Sequence, residues 1–377
     1  MTIVADATAS VDASGVTLGV DTHADTHVAA VIDPLGRHLG QAGFDTTVAG
    51  FKALLAWANQ FGSITLAGVE GTGAYGAGLA RFLTAEGVMV VEVDRPDRKT
   101  RRDQGKSDPI DAYAAARAAA SGRASGTPKS RTGDVESIRV LRVARTGAIR
   151  ARAKALTQLK ALIVTAPDAL RAQLGGLDGR GLVAMCARLR STRDDAPTPS
   201  PFAKRGPRPG RLVDPTAATK RSLGSIARRV QILDAEIAEL DDDIDALITP
   251  LAPTLLALQG VGLDVAGQLL VTAGDNPQRI HHEAAFAHLC GSAPIPASSG
   301  KTSNRHRLNR GGDRAANAAL YRIVICRLRW DPDTRAYVER RTQQGKSKKD
   351  IIRCLKRYIA REVFAAIQAD LTPTITP

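Results

Sequence analysis

Asp108, Pro109 and Asp111 open an alanine-rich run, GKSDPIDAYAAARAAA, over Gly105–Ala120. Proline suits the first position of a helix, so Asp108 is expected at the N-cap and Asp111 at the third helical position. Residues three apart at a helix start can turn towards one site. Two carboxylates held together repel each other unless a cation lies between them. A divalent metal is the natural cation, because hard ions prefer carboxylate oxygens. The same residues also make an ordinary acidic cap, which satisfies the backbone N–H groups of the first turn. The choice between the two turns on whether other carboxylates reach the same place.

Two more acidic residues stand at predicted strand ends. Val16–Val20 reads as a buried strand leading into Asp21, and Ile64–Val69 as another ending at Glu70. Between them, Val28–Ile32 and Arg37–Phe44 have strand patterns and Thr47–Phe61 has helical apolar spacing. Ala74–Glu86 reads as a helix and Val88–Val93 as the next strand. The order is β-β-β-α-β-α-β-α, a ribonuclease-H-like arrangement with a mixed sheet and helices on its faces. Ligands of such sheets gather at the carboxyl ends of strands. Asp21, Glu70, Asp108 and Asp111 at those positions would form a two-metal site, its ions about 4 Å apart across a phosphodiester. Asp25, Asp94 and Asp97 are weaker candidates, since they fall in turns and loops.

The chain has 52 Lys and Arg against 38 Asp and Glu, a net charge of +14 in 377 residues. A folded chain so basic suggests a polyanionic partner. The excess is uneven: residues 298–361 hold 18 Lys and Arg against 5 Asp and Glu, and the rest is close to neutral. A second cationic patch, Arg98, Lys99, Arg101, Arg102 and Lys106, lies just before the aspartate helix. It is expected to touch phosphates, or else is a solvated loop. Within the basic region, Ser298-Ser299-Gly300 is followed by Lys301, Arg305, Arg307, Arg310 and Arg314. A serine hydroxyl is a poor nucleophile unless neighbours neutralise the charge it develops. Dense arginines do that and also grip phosphate. Ser-Ser-Gly is equally an ordinary flexible stretch.

The remaining elements would carry these sites. Residues 1–14 are small and polar, and read as a loose tail. A sheet domain is expected over 15–126. A helical, coiled-coil arm follows over 127–249, from one long helix at Thr127–Leu170 and another at Ala217–Ile248. The Pro/Arg-rich stretch 191–212 reads as an insertion within that arm. Residues 250–370 read as a mostly α-helical domain. It starts with a helix-hairpin-helix-like turn at Gly260-Val261-Gly262, whose backbone N–H groups could hold a phosphate. The four cysteines are scattered with no CxxC pair, so neither a zinc knuckle nor a disulfide framework is indicated, and a reduced, cytoplasmic compartment is expected. No signal peptide or membrane-spanning apolar run is apparent in the sequence.

The order of these parts resembles the DEDD transposases of the insertion sequence 110 family, the bridge-RNA-guided recombinases. The resemblance runs from about Gly15 to about Ile367. It is carried by Gly19-Val20-Asp21, Val69-Glu70-Gly71-Thr72-Gly73, Lys106–Ala112 and Ser299-Gly300 with the following Gly311-Gly312. The resemblance implies a RuvC-like tetrad of Asp21, Glu70, Asp108 and Asp111 with Mg²⁺, and Ser299 as nucleophile, with Ser298 beside it. It implies DNA donor and target, a structured guide RNA, a homodimer that assembles to a tetramer on DNA, and a place at the nucleoid. The alternative is a Mg²⁺-dependent endonuclease of the Holliday-junction kind, in which water attacks and the serine is incidental.

Overall fold

The seven-residue run VTLGVDT forms the central strand β1 (Val16–Thr22), buried along its whole length, its polar Thr17, Asp21 and Thr22 included. The computed structural model describes residues 15–93, 108–193, 212–298, 306–309 and 311–372. β1 pairs antiparallel with β2 (Thr26–Ile32), which pairs antiparallel with β3 (His38–Asp45). On its other side β1 runs parallel to β4 (Ile64–Glu70), and β4 to β5 (Val90–Val93). The five-stranded order is β3-β2-β1-β4-β5. β3 alternates exposed and partly buried residues, as an edge strand with one wet face does.

Each face of this sheet carries its own helices. Leu18, Val20, Ala29, Val31, Ala67 and Val69 point to one side. There they meet Phe51, Leu54 and Ala58 of α1 (Val48–Ala58) and Leu79 and Leu83 of α2 (Ala77–Ala85). His27, fully buried among them, stacks on Phe51 at 5.7 Å, and burial lowers its pKa. The opposite face takes α3 (Asp108–Ala120). Strand alternation puts Gly19 and its register partner Gly68 on that side. A Cβ on Gly19 would lie 2.2 Å from the Ala112 carbonyl oxygen and 2.2 Å from the Ala116 nitrogen. A Cβ on Gly68 would lie 2.6 Å from the Ala115 oxygen. The two glycines form a trough, and the alanine face of α3 lies in it.

Residues 121–133 are not helical. They form a strap, and helix α4 begins only at Asp134 (Asp134–Val164). The expected start at Thr127 fails because the strap's backbone is bound elsewhere. Ser130 N–H donates to Asn276 Oδ1, Val135 N–H to Asp275 Oδ1, and Asn276 Nδ2 to the Pro128 carbonyl. Pro167 separates α4 from α5 (Asp168–Leu174), and α6 (Gly179–Arg188) follows.

The chain divides into two compact units: residues 137–256 with 262–267, and the remainder. In the smaller unit α4 runs antiparallel to α7 (Pro215–Leu251). Arg145 pairs with Asp241 and Arg152 with Asp234, a step of seven residues on each helix. Leu159, Leu182, Cys186, Leu223 and Val230 close its core. The insertion expected over 191–212 lies almost wholly outside the described residues.

Helix α9 (Leu263–Ala273) follows a short α8 (Pro253–Leu256) and Gly260, whose φ of +87° is left-handed; from Gln268 onward it belongs to the larger unit. Next come α10 (Glu283–Leu289), a hairpin of β6 (Pro294–Pro296) and β7 (His306–Leu308), and α11 (Arg314–Trp330). Pro332 starts a separate helix, α12 (Pro332–Gln343), and α13 (Lys348–Leu371) ends the described chain. α13 buries Ile351, Leu355, Ile359, Val363 and Ile367, one stripe at four-residue spacing. Among the described residues no helix is long and apolar enough to cross a membrane.

The trough makes a sharp prediction. Gly19→Ala should lower thermal stability by about 1–3 kcal/mol, since backbone rather than a flexible side chain blocks the new methyl. Gly43→Ala, where a Cβ meets nothing within 4 Å, should be close to neutral. Melting curves of the two variants compare them directly.

Candidate active site

Asp21 and Glu70 end up side by side because β1 and β4 are parallel neighbours in register. Val20 partners Val69, so the next residue on each strand is acidic. Alternation turns both side chains to the face of Gly19 and Gly68, the face that α3 covers. Thr22 Oγ1 donates to the Glu70 carbonyl at 2.9 Å and ties the two strand ends together. Gly71 then turns the chain sharply with φ +67°, and its carbonyl accepts from Ala74 N–H.

Asp111 sits in the first turn of α3, next to Ala112, whose carbonyl lies over Gly19. Asp21, Glu70 and Asp111 are 6%, 8% and 7% exposed. Carboxylates that buried need hydrogen bonds or a cation. The structure adds one residue that the sequence pattern did not flag: His23 Nε2 lies 3.1 Å from Asp21 Oδ2. A histidine two positions after a strand-end aspartate had no periodicity to mark it.

Asp108 is the first residue of α3, and its side chain lies outside the described residues. Among the described residues no three His, Cys, Asp or Glu side chains stand close enough to hold a metal ion together. In donor type the buried acids Asp21, Glu70 and Asp111 suit a hard divalent cation. Ser299, Arg98, Lys99, Arg101, Arg102, Lys106, Lys301, Arg305 and Arg310 also lie outside the described residues. Ser298 is exposed at the end of the β6 side of the hairpin, and Arg307 and Arg314 are exposed on β7 and α11.

The strap reaches the turn that follows Glu70. Arg131, itself left-handed at φ 54°, donates to the Gly73 carbonyl at 2.9 Å. Glu92 on β5 accepts from Thr72 Oγ1 at 2.6 Å, and its N–H donates to the Gly126 carbonyl. Lys129 Nζ donates to the Val271 carbonyl of α9 at 2.6 Å. Burial, helped by Arg279 and Arg131 nearby, pushes the Lys129 pKa down to about 8, against the opposing pull of Asp313 and Glu92.

Residues 18–166 match a family model of the DEDD domain of IS110 elements, described as a transposase. Residues 252–339 match a second, described as the transposase IS116/IS110/IS902 family. Together they take in well over half of the chain, which belongs to this transposase family. An insertion element IS110 protein of 43.6 kDa from Streptomyces coelicolor is 30% identical over 149 residues, 38% of this chain and 36% of that protein. An insertion element IS900 protein of 42 kDa from Mycobacterium paratuberculosis is 26% identical over 204 residues, 54% of this chain and 50% of that protein. The chain thus spans half or less of the length of these relatives.

The strap carries a pH signature. The folded chain releases the Lys129 proton near pH 8, whereas the unfolded chain holds it to about 10.5. Between those values the unfolded state binds more protons, so the Lys129 contribution to stability rises with pH. Stability of the unmodified chain relative to Lys129→Met should therefore climb across that window and be flat below it. Chemical denaturation at several pH values measures the difference; a parallel pair of curves would refute the assignment.

Proposed function

We propose that the chain is a DNA transposase that cuts and rejoins DNA through a covalent serine intermediate. The reading is supported by the family and carried by one observation. Asp21 and Glu70 lie side by side at the carboxyl ends of parallel strands, on the face taken by the helix that Asp108 and Asp111 open. The strand order β3-β2-β1-β4-β5 supports a ribonuclease-H-like, RuvC-like domain over 15–126. The antiparallel α4–α7 pair would be the arm over 127–249. Residues 250–370 would be the serine domain, with the Gly260 turn as its helix-hairpin-helix-like element.

Asp21, Glu70, Asp108 and Asp111 would hold Mg²⁺, at one or two positions. When bound, the ion supplies charge neutralisation at the scissile phosphate. Ser299 Oγ would attack phosphorus, forming an O–P bond as the P–O bond to the neighbouring sugar breaks and leaves a free hydroxyl. Lys301, Arg305 and Arg307 would balance the charge that develops on the phosphate. Attack by a partner strand's hydroxyl on the phosphoserine reverses these bonds and seals the exchange without water. Arg314 and the basic C-terminal helices would grip donor and target DNA. The cationic stretch 98–106 and the arm would hold a structured guide RNA. Two chains, or four on DNA, would bring the serine of one beside the carboxylates of another.

Ser299→Ala should abolish protein–DNA adducts on denaturing gels while DNA binding persists, and Ser298→Ala should retain them. Asp108→Asn should lose Mg²⁺-dependent cleavage by roughly a hundredfold or more. Cleavage by the unmodified chain with no adduct at any time would overturn the serine and favour the water-using endonuclease.

A further inference from the structure

The β6–β7 hairpin is three residues long on each side, with Pro294 opposite Leu308 and Pro296 opposite His306. So short a ladder, with two prolines on one strand, cannot fix its own direction. Ser298 and Ser299 lie in the segment that the hairpin bounds. What aims the hairpin, with Ser298 two residues beyond β6, must be the two feet on which it stands.

The feet are tied to the end of α10. On the incoming side, Ser292 and Ala293 N–H both donate to the Ala287 carbonyl, and Gly291 is left-handed at φ +64°. On the outgoing side, Asn309 Nδ2 donates to the His288 carbonyl at 2.9 Å, and Asp313 N–H to the Leu289 carbonyl at 2.7 Å. The two backbones cross in contact: a Cβ on Gly312 would lie 2.2 Å from the Gly291 nitrogen.

One side chain locks the crossing. Asn317 Nδ2 of α11 donates to the Cys290 and Gly291 carbonyls, each at 2.9 Å. That leaves Asn317 Oδ1 pointing away, and Lys356 Nζ of α13 donates to it at 2.8 Å. An amide turned end for end would set its NH₂ against the ammonium and its oxygen against two carbonyls. The cation on Lys356 therefore selects the useful orientation.

Resting on the serine reading above, we propose that Asn317 and Lys356 are positioning residues for the β6–β7 hairpin that carries Ser298. Lys356 fixes the amide of Asn317, and the amide fixes the incoming foot of the hairpin. Stability alone is a poor reason for this lysine. It is buried, and burial together with neighbouring Arg353 works against its charge. A methionine of similar length would pack there without that cost.

The test uses the full chain with duplex DNA from the ends of its own element and RNA transcribed from the element's non-coding end. Adduct formation is timed in a single turnover at saturating DNA, beside DNA affinity and thermal melting. Lys356→Met should slow adduct formation roughly ten- to hundredfold. DNA affinity should stay within about twofold, and melting should be no lower than in the unmodified chain. Lys356→Gln restores a donor to Asn317 Oδ1 and should recover most of the rate. Hydrogen exchange at the Gly311 and Asp313 amides should quicken in Lys356→Met and return in Lys356→Gln. An unchanged adduct rate in folded Lys356→Met overturns the positioning role alone, as does a loss that follows lowered melting and is not rescued by glutamine. Absence of adducts from the unmodified chain overturns the serine reading itself.

Discussion

Everything at the carboxyl edge of the sheet depends on two side chains that are missing. Gly19 and Gly68 are register partners on adjacent strands, and neither leaves room for a methyl. Only a pair of glycines lets the backbone of α3 come down onto the strands. The helix answers with Ala112, Ala115, Ala116 and Ala119, all buried. Each alanine buries little area, so the contact gains from closeness rather than from bulk. The consequence for chemistry is direct. A helix that lies this low carries its first-turn Asp111 into a buried position on the face that Asp21 and Glu70 share.

The positive charge divides into structural and available parts. In the smaller unit Arg142, Arg145 and Arg152 pair with Asp264, Asp241 and Asp234. Those arginines hold α4 in place, which narrows the basic face that the helix shows to solvent. In the larger unit Arg357 makes a two-pronged contact with Glu283, joined by Arg361, and holds the Glu283 carboxyl down at about 2. Arg327 pairs with Glu362. Counting cations along the sequence therefore overstates the charge offered to a polyanion. The excess over 298–361 still exceeds these pairings by a wide margin, and Arg307 and Arg314 are exposed.

The sheet was legible because its cues are local. Runs of Val, Leu and Ala with acidic or turn residues at their ends gave all five strands to within a few residues. The seam of α7 was legible by its spacing, but spacing does not say what fills it. The Asp241 and Asp234 pairs answer with the same chain. The strap was not legible, because residues 127–133 are denied a helix by Asp275 and Asn276, some 140 residues away in sequence. His23, Asn317 and Lys356 share that difficulty. Their partners are fixed by folding, and no period or motif marks an amide that meets two distant carbonyls.

The strap also bears on how the two halves of the larger unit work together. Arg131 grips the turn three residues after Glu70, while Lys129 and Ser130 are held by α9 and the segment after it. The acidic sheet edge and the helical C-terminal elements are thus joined by hydrogen bonds to backbone, which tolerate little sliding. Lys129 sits in that joint with its amine on the Val271 carbonyl, where burial works against its charge. The proposed chemistry would need rigid mounts on both sides. The glycine trough holds α3 on the sheet, and the Gly291–Gly312 crossing holds the foot of the β6–β7 hairpin.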